Sequence, residues 1–240
     1  MGYMIKASLI KASLLVAATL AFGIAPFVTP PFTGYDPGLF PVRIERPSIQ
    51  PAGYAFAIWS VIYTWLIAHA AFGLWKRRDN PAWDAVRLPL TVAVLVGAVW
   101  LAIAGQSAIW GTVTIWVMAG AAIAAYLCAD PGVDRWMLAG PTAIFAGWLS
   151  AAAAVSTGVL IAGYGWLTDT QSAAAMLALV LVIAVTVQMR RPALPVYGLT
   201  VIWALLGVVV ANWTPNLTVA ALAGSGIVVM LLTLMVTRRA

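Results

Sequence analysis

Long apolar runs, broken by short polar or proline-bearing stretches, organise the whole chain. A helix needs about 20 predominantly apolar residues to cross the hydrocarbon core of a bilayer. Eight segments fit that pattern, at 12–29, 53–75, 88–106, 109–128, 137–162, 172–189, 194–212 and 217–236. Turn signals separate them at Asn80-Pro81, Asp130-Pro131-Gly132, Arg191-Pro192 and Thr214-Pro215-Asn216. No run alternates apolar and polar residues as a barrel strand would, so helices must satisfy the backbone in lipid. The pattern predicts an all-α integral membrane protein, a bundle of about eight transmembrane helices.

Charge orients the bundle. Cytoplasmic loops carry the excess of Lys and Arg. With both termini cytoplasmic, the inner side receives Lys6, Lys11, Lys76, Arg77, Arg78, Arg87, Arg135, Arg190, Arg191, Arg238 and Arg239, and the outer side only Arg43 and Arg46. The net charge of +6 is thereby a membrane signal and not a nucleic-acid one. That asymmetry fits a multi-pass protein of a bacterial inner, plasma-type membrane. Lys6 and Lys11 ahead of a short apolar run also fit a signal peptide, the alternative for the first span. The outer side holds one long loop, 30–52, with Pro30, Pro31, Pro37, Pro41, Pro47 and Pro51. So many fixed φ angles point to an ordered cap.

Composition narrows the chemistry. At 63% hydrophobic and 8% charged the chain is no soluble domain, and a single cysteine, Cys128, forms no internal disulfide. No Asp or Glu falls inside a predicted span, which argues against a coupled pump. Lysine occurs only at 6, 11 and 76, so no late helix offers a Schiff base for retinal. There is no metal-spaced cluster, no phosphate loop and no nucleophile with a base beside it, which points away from an enzyme.

What remains is aromatic. His69, the sole histidine, is either an axial ligand for a haem or chlorophyll metal or a neutral imidazole bonded to a carbonyl. Trp75, Trp83, Trp110, Trp136, Trp166 and Trp213 fall at span ends, where an interfacial belt accounts for them. Trp59, Trp65, Trp100, Trp116, Trp148 and Trp203 lie deeper, and several share a depth that suits an aromatic-walled cavity. Small residues at Gly120, Ala124 and Cys128, and at Gly140, Ala143, Gly147, Ala151 and Ala154, allow close helix packing within the bundle or between copies. Of the deep polar groups only Gln106 and Asn212 ask for a partner, and both lie near outer ends where water could serve.

The stretch from Pro51 to Tyr63, PAGYAFAIWSVIY, resembles the opening of the second helix in the tryptophan-rich sensory protein family (TspO/MBR, translocator protein), above all its long bacterial members. Pro51, Trp59 and Tyr63 keep that family's spacing, Phe56 is displaced by one, and the second Pro and Trp are missing. Gly97-Ala98-Val99-Trp100 is similar to an N-x-x-W segment with Gly for Asn, and Gly147-Trp148 through Ser156 to a G-W-x-x-x-A segment with Ser156 near an Asn. Trp203-Ala204-Leu205 is similar to a W-A-L-x-G run of the extra helices.

The resemblance implies a five-helix core, residues 1–165, closed by the loop 30–52, and a three-helix extension, residues 166–240. It also implies tetrapyrroles, sterols or carotenoids as ligands and links to photosynthetic regulation. The resulting expectation is a non-enzymatic sensor or carrier for a planar hydrophobic ligand such as a porphyrin, bacteriochlorophyll, chlorophyll precursor or carotenoid. Trp59, Tyr63, Trp100, Trp148 and Trp203 form its walls, Tyr54 and Ser156 its polar contacts, and Pro51 a rigid hinge. The alternative is a structural or assembly subunit of a pigment–protein complex. Expected partners are the lipid bilayer, a hydrophobic small molecule and further copies or membrane subunits, with no nucleic acid.

Overall fold

In the computed structural model, residues 2–30 and 32–238 are described, with side chains from residue 7 onward. The inner-side charges expected at Lys6 and Arg239, and Pro31 of the loop, lie outside the described side chains. Eight α-helices follow one another: α1 (Gly2–Val28), α2 (Ile58–Lys76), α3 (Pro81–Ala104), α4 (Ala108–Cys128), α5 (Ala139–Gly163), α6 (Asp169–Arg190), α7 (Val196–Asn212) and α8 (Leu217–Thr237). Seven candidate spans are long and apolar enough to cross a membrane; α7, at 17 residues, is the short one. At 1.5 Å per residue it reaches only about 25 Å. A 3₁₀ turn at Gly53–Ala57 meets it, and the backbone N–H of Ala52 donates to the Gly207 carbonyl at 2.9 Å.

Local chemistry sets the helix ends. Asn80 accepts from the N–H groups of Ala82 and Trp83 at 2.9 and 3.4 Å, with Pro81 in the first helical position of α3. Ser107 caps α4, Asn216 caps α8, and Thr168 with Gln171 forms a capping box on α6. At the end of α5, Gly165 takes φ +73° while Gly165 and Trp166 donate back to Ala162 and Ile161, a Schellman closure that needs a glycine there.

Contacts arrange α1–α2–α5–α4–α3 as a closed ring, with α6 and α7 on the other flank of α5 and α8 packed on both. So α5 is central, and every residue from Ala139 to Ala151 is buried. Its small residues let neighbours approach. A Cβ on Gly140 would stand 2.6 Å from the Trp65 ring, and one on Gly147 2.8 Å from the Tyr197 carbonyl oxygen. The small residues of α5 therefore serve packing inside the bundle. On α4 the corresponding positions Gly120, Ala124 and Cys128 are exposed.

Two expectations about polar residues need correction. Arg87, counted with the inner loops, is buried at 2% exposure on α3, and Asp84 shares the first turns of that helix. Its guanidinium donates to Ser8 Oγ at 2.9 Å, to Asp84 at 3.2 Å and to the Arg77 carbonyl at 3.0 Å, which supplies the pairing a buried charge requires. Asn212 is also buried, and its amide donates to the Ser48 and Val208 carbonyls at 2.7 and 2.9 Å. Protein groups partner it, not water.

Candidate functional site

Within the five-helix ring lies a chamber of about 250 Å³ with aromatic walls. Trp59 and Tyr63 stack at 5.3 Å, Phe22 meets Tyr63 edge-on at 4.9 Å, and Trp100, Trp148 and Phe32 complete the lining. Gly97 makes this geometry feasible: a Cβ there would come within 2.5 Å of the Phe22 ring.

A second, smaller cavity of about 90 Å³ lies on the other flank of α5. Ala151, Ala154 and Val155 of α5 face Leu177 and Val180 of α6 and Val201, Ala204, Leu205 and Val208 of α7 across it, with Ile49, Gln50 and Pro51 contributed by the loop. Phe32, Phe56, Trp100, Ile115, Trp148 and Ala152 line both chambers and so stand between them. A polar vestibule of about 330 Å³, lined in part by Asp36, Glu45 and Gln50, shares Gly34, Tyr35, Gln50 and Val159 with the smaller chamber. Three cavities thus adjoin in series, with Tyr35 and Gln50 at one boundary and Phe56 and Trp148 at the next.

Tyr35 latches the loop to the bundle. Its hydroxyl bonds Ser156 Oγ at 2.6 Å, which in turn bonds Thr112 Oγ1 at 2.8 Å. Gly111 is the close approach that admits it, since a Cβ there would lie 2.7 Å from the Tyr35 hydroxyl. Burial raises the phenol above its ordinary value, so the hydroxyl keeps its proton at neutral pH. Farther along the loop, the Ser48 N–H and hydroxyl both donate to Asp169, and Val42 N–H donates to the Gly163 carbonyl at 2.9 Å.

Among the deep indoles Trp148 is buried, while Trp65, Trp100, Trp116 and Trp203 are half-buried. Trp65, Trp100, Trp116 and Trp203 donate to the Trp136 carbonyl, the Gly111 carbonyl, Thr157 Oγ1 and the Ala55 carbonyl, all at 2.8–2.9 Å. Trp148, only 2% exposed, has no partner for Nε1 among the described residues. A buried donor left unmade costs about 1–3 kcal/mol. The Trp148 ring lines both chambers while Nε1 itself is closed off from them, so an acceptor reaches it only when the chamber wall shifts.

The residues expected at the site divide accordingly. Trp59, Tyr63, Trp100 and Trp148 line the larger chamber, and Pro51 and Ser156 line the smaller one with Trp100 and Trp148. Tyr54 and Trp203 line neither; Trp203 stands edge-on to Tyr54 at 5.5 Å and spends its N–H on Ala55, locking α7 to the 3₁₀ turn. His69 bonds the Met137 carbonyl through Nδ1 at 2.7 Å and stacks on Trp83 at 4.8 Å; it is buried at 1% exposure and lines neither chamber. Trp83 leaves the interfacial belt, because it is 1% exposed and donates to Asp134 at 2.9 Å. Asp134, in the loop between α4 and α5, is held below its ordinary pKa first by the Arg77 guanidinium at 2.6 Å and then by that indole. The site residues that spacing did not single out are Phe22, Phe32, Tyr35 and Thr112. Phe32 and Tyr35 did carry a signal, as aromatics inside a proline-rich loop.

A five-helix ring with an aromatic chamber under a proline-rich loop is the setting in which the family comparison applies. The family model described as TSPO-like protein matches residues 12–236. The chain belongs to the TSPO-like protein family. No match was found among curated proteins or among solved structures. The TSPO-like match runs past α5 and through α6, α7 and most of α8, so the family assignment covers both flanks of the central helix.

Proposed function

We propose that this TSPO-like membrane protein is a non-enzymatic carrier or sensor for a planar hydrophobic ligand, a tetrapyrrole, chlorophyll precursor or carotenoid, in the outer half of a bacterial inner membrane. The supporting observation is the unpartnered Trp148 indole at the wall of an aromatic chamber. Flat π-systems stack on indoles and need few polar anchors, and a carbonyl on the ligand supplies the acceptor that Trp148 lacks. The larger chamber, at about 250 Å³, falls just under the roughly 300–1,000 Å³ of ligand pockets, and the two chambers joined enter that range. Binding a full macrocycle therefore displaces Phe56 or lifts the loop. In this reading residues 1–165 hold the ligand, and residues 166–240 buttress α5.

The test is a titration of the purified protein in lipid nanodiscs with protoporphyrin IX, read by tryptophan fluorescence. Saturable quenching at micromolar ligand is expected, and its absence removes the tetrapyrrole version. A second reading, an assembly subunit of a larger membrane complex, is favoured by the smooth exposed strip Val113, Val117, Gly120, Ala124 and Cys128 on α4. A Cβ on Gly120 would meet nothing within 4 Å, so a neighbouring helix can approach there. Native gel migration in mild detergent separates the two: a small oligomer favours the carrier, and co-migration with pigmented subunits favours assembly.

A further inference from the structure

The two chambers beside Trp148 differ in the chemistry of their walls. Phe22, Trp59 and Tyr63 face the ring chamber alone and Trp100 faces both, whereas the smaller chamber, aromatic on its shared side, is wholly aliphatic on α6 and α7: Leu177, Val180, Val201, Ala204, Leu205 and Val208. Aromatic walls suit a flat conjugated ring; branched aliphatic walls suit a saturated or isoprenoid chain. The polar groups at the far end of the smaller chamber are already engaged. Tyr35 is bonded to Ser156, and the Gln50 amide donates to the Thr33 carbonyl at 3.3 Å. Nothing there calls for a polar ligand. Between the chambers, where a ring would pass into a chain, sits Trp148, whose Nε1 is the one buried side-chain donor without a partner among the described residues.

Close packing is the rule inside proteins, so an apolar void of about 90 Å³ between packed helices is a departure that asks for a filler. Alanines create it: Ala151 and Ala154 on α5 and Ala204 on α7 stand where larger side chains would close the gap. Apolar cavities of about 150 Å³ stay dry and take benzene or xenon, so this somewhat smaller one has room for a single branched five-carbon unit or a short stretch of chain.

We propose that the cavity between α5, α6 and α7 is a tail site: it takes an isoprenoid or acyl chain carried by the ligand whose ring occupies the aromatic chamber, with the carbonyl that links ring and chain accepting from Trp148 Nε1. This rests on the planar-ligand reading above and adds a substrate class to it, a ring bearing an esterified chain. The flank of the bundle made by α6 and α7 becomes part of the binding site and ceases to be only a buttress.

The test compares methyl pheophorbide a with pheophytin a, which share a macrocycle and differ in the esterified chain, on the full-length protein in nanodiscs by tryptophan quenching. Pheophytin a is expected to bind several-fold tighter, because the first branched unit of its chain fills the void and gains packing contacts that fluid lipid does not match. Ala204→Phe, which fills the cavity, should abolish that advantage while methyl pheophorbide a stays within about twofold. Ala204→Val should remove part of it. Both variants should melt at or above the wild-type temperature, since they fill a void. Equal affinities in the wild type, or an advantage that survives Ala204→Phe, overturns the tail site, as does a fall in melting temperature with both variants.

If neither macrocycle binds, the planar-ligand reading has failed by itself. The cavity is then tested with 10-bromodecan-1-ol, whose bromine quenches indoles in contact. Saturable quenching lost in Ala204→Phe sustains a chain site, and unsaturable quenching overturns it.

Discussion

Two indoles, Trp83 in the first turn of α3 and Trp148 near the middle of α5, are buried to the same degree, at 1% and 2% exposure, yet stand in opposite circumstances. Trp83 stacks on His69, donates to Asp134 and packs against Gly73, whose Cβ would fall 2.8 Å from the ring. Around it Arg77, Arg87, Asp84, Lys11 and Ser8 bond to one another across α1, α2, α3 and the α4–α5 loop. Each charged side chain in that cluster has a protein partner. Trp148 lies between two cavities and has none. A satisfied, packed indole holds helices together, whereas an unsatisfied one beside empty space is arranged for something that arrives later.

If the Trp83 cluster is structural, breaking it should cost stability and leave ligand affinity alone. The largest effect is expected from Arg87→Met, which takes the donor from the Arg77 carbonyl and Ser8 Oγ and leaves Asp84 with Lys11 alone. Breaking a buried pair costs about 3–5 kcal/mol, and the partial exposure of Asp84 puts this one near the low end, around 3 kcal/mol, measurable as a lower melting temperature in detergent. A ligand affinity that falls in parallel would break the contrast between the two indoles.

Asp134→Ala comes next, at about 2 kcal/mol, mainly because the Trp83 N–H is left buried and unpaired. Its pH dependence sharpens the point. Asp134 is held below its ordinary value in the folded protein, so its pairing with Arg77 and Trp83 stabilises fully above the unfolded carboxylate value of about 3.9. That contribution disappears as pH falls through the lowered folded value. Wild type and Asp134→Ala should therefore differ in melting temperature at pH 7 and converge in strong acid; a gap that persists below the folded value contradicts the assignment.

Beside the chambers the expected signs reverse. Tyr35→Phe removes one hydroxyl from the Ser156–Thr112 chain and should cost no more than about 1 kcal/mol. Because it unlatches the loop at the boundary between vestibule and inner cavity, ligand association should quicken several-fold in stopped-flow quenching. An unchanged association rate would show that Tyr35 is not at the entrance.

How far the sequence foretold this structure differs by scale. The eight helices were legible because hydrophobic length is a one-dimensional property; α2 came out shorter because Gly53–Ala57 is a 3₁₀ turn, and α7 begins at Val196 and keeps its expected end. Depth along a helix was legible too, which is why Trp59, Tyr63, Trp100 and Trp148 could be named together. Azimuth was not. Trp203 shares that depth but faces the Gly53–Ala57 turn, and no spacing rule separates the two faces of a helix that is apolar all round. Trp83 and Arg87 were misplaced for a related reason: their positions beside a charged turn read as interfacial, while the acid that buries the indole, Asp134, lies 51 residues away in the chain. Tyr35 reaches Ser156 across 121 residues, a pairing that a loop sequence does not encode locally.

The central claim is that Trp148 is the ligand's polar anchor, and Trp148→Phe tests it most directly. The substitution keeps an aromatic ring, deletes the unpartnered donor and leaves a modest void, so those two terms offset and the melting temperature should stay within a degree or two. Quenching titrations with protoporphyrin IX on both proteins then decide the matter. The account predicts saturable micromolar binding to the wild type and about tenfold weaker binding to Trp148→Phe, the worth of one hydrogen bond to a buried donor. Equal affinity in the two proteins would contradict it.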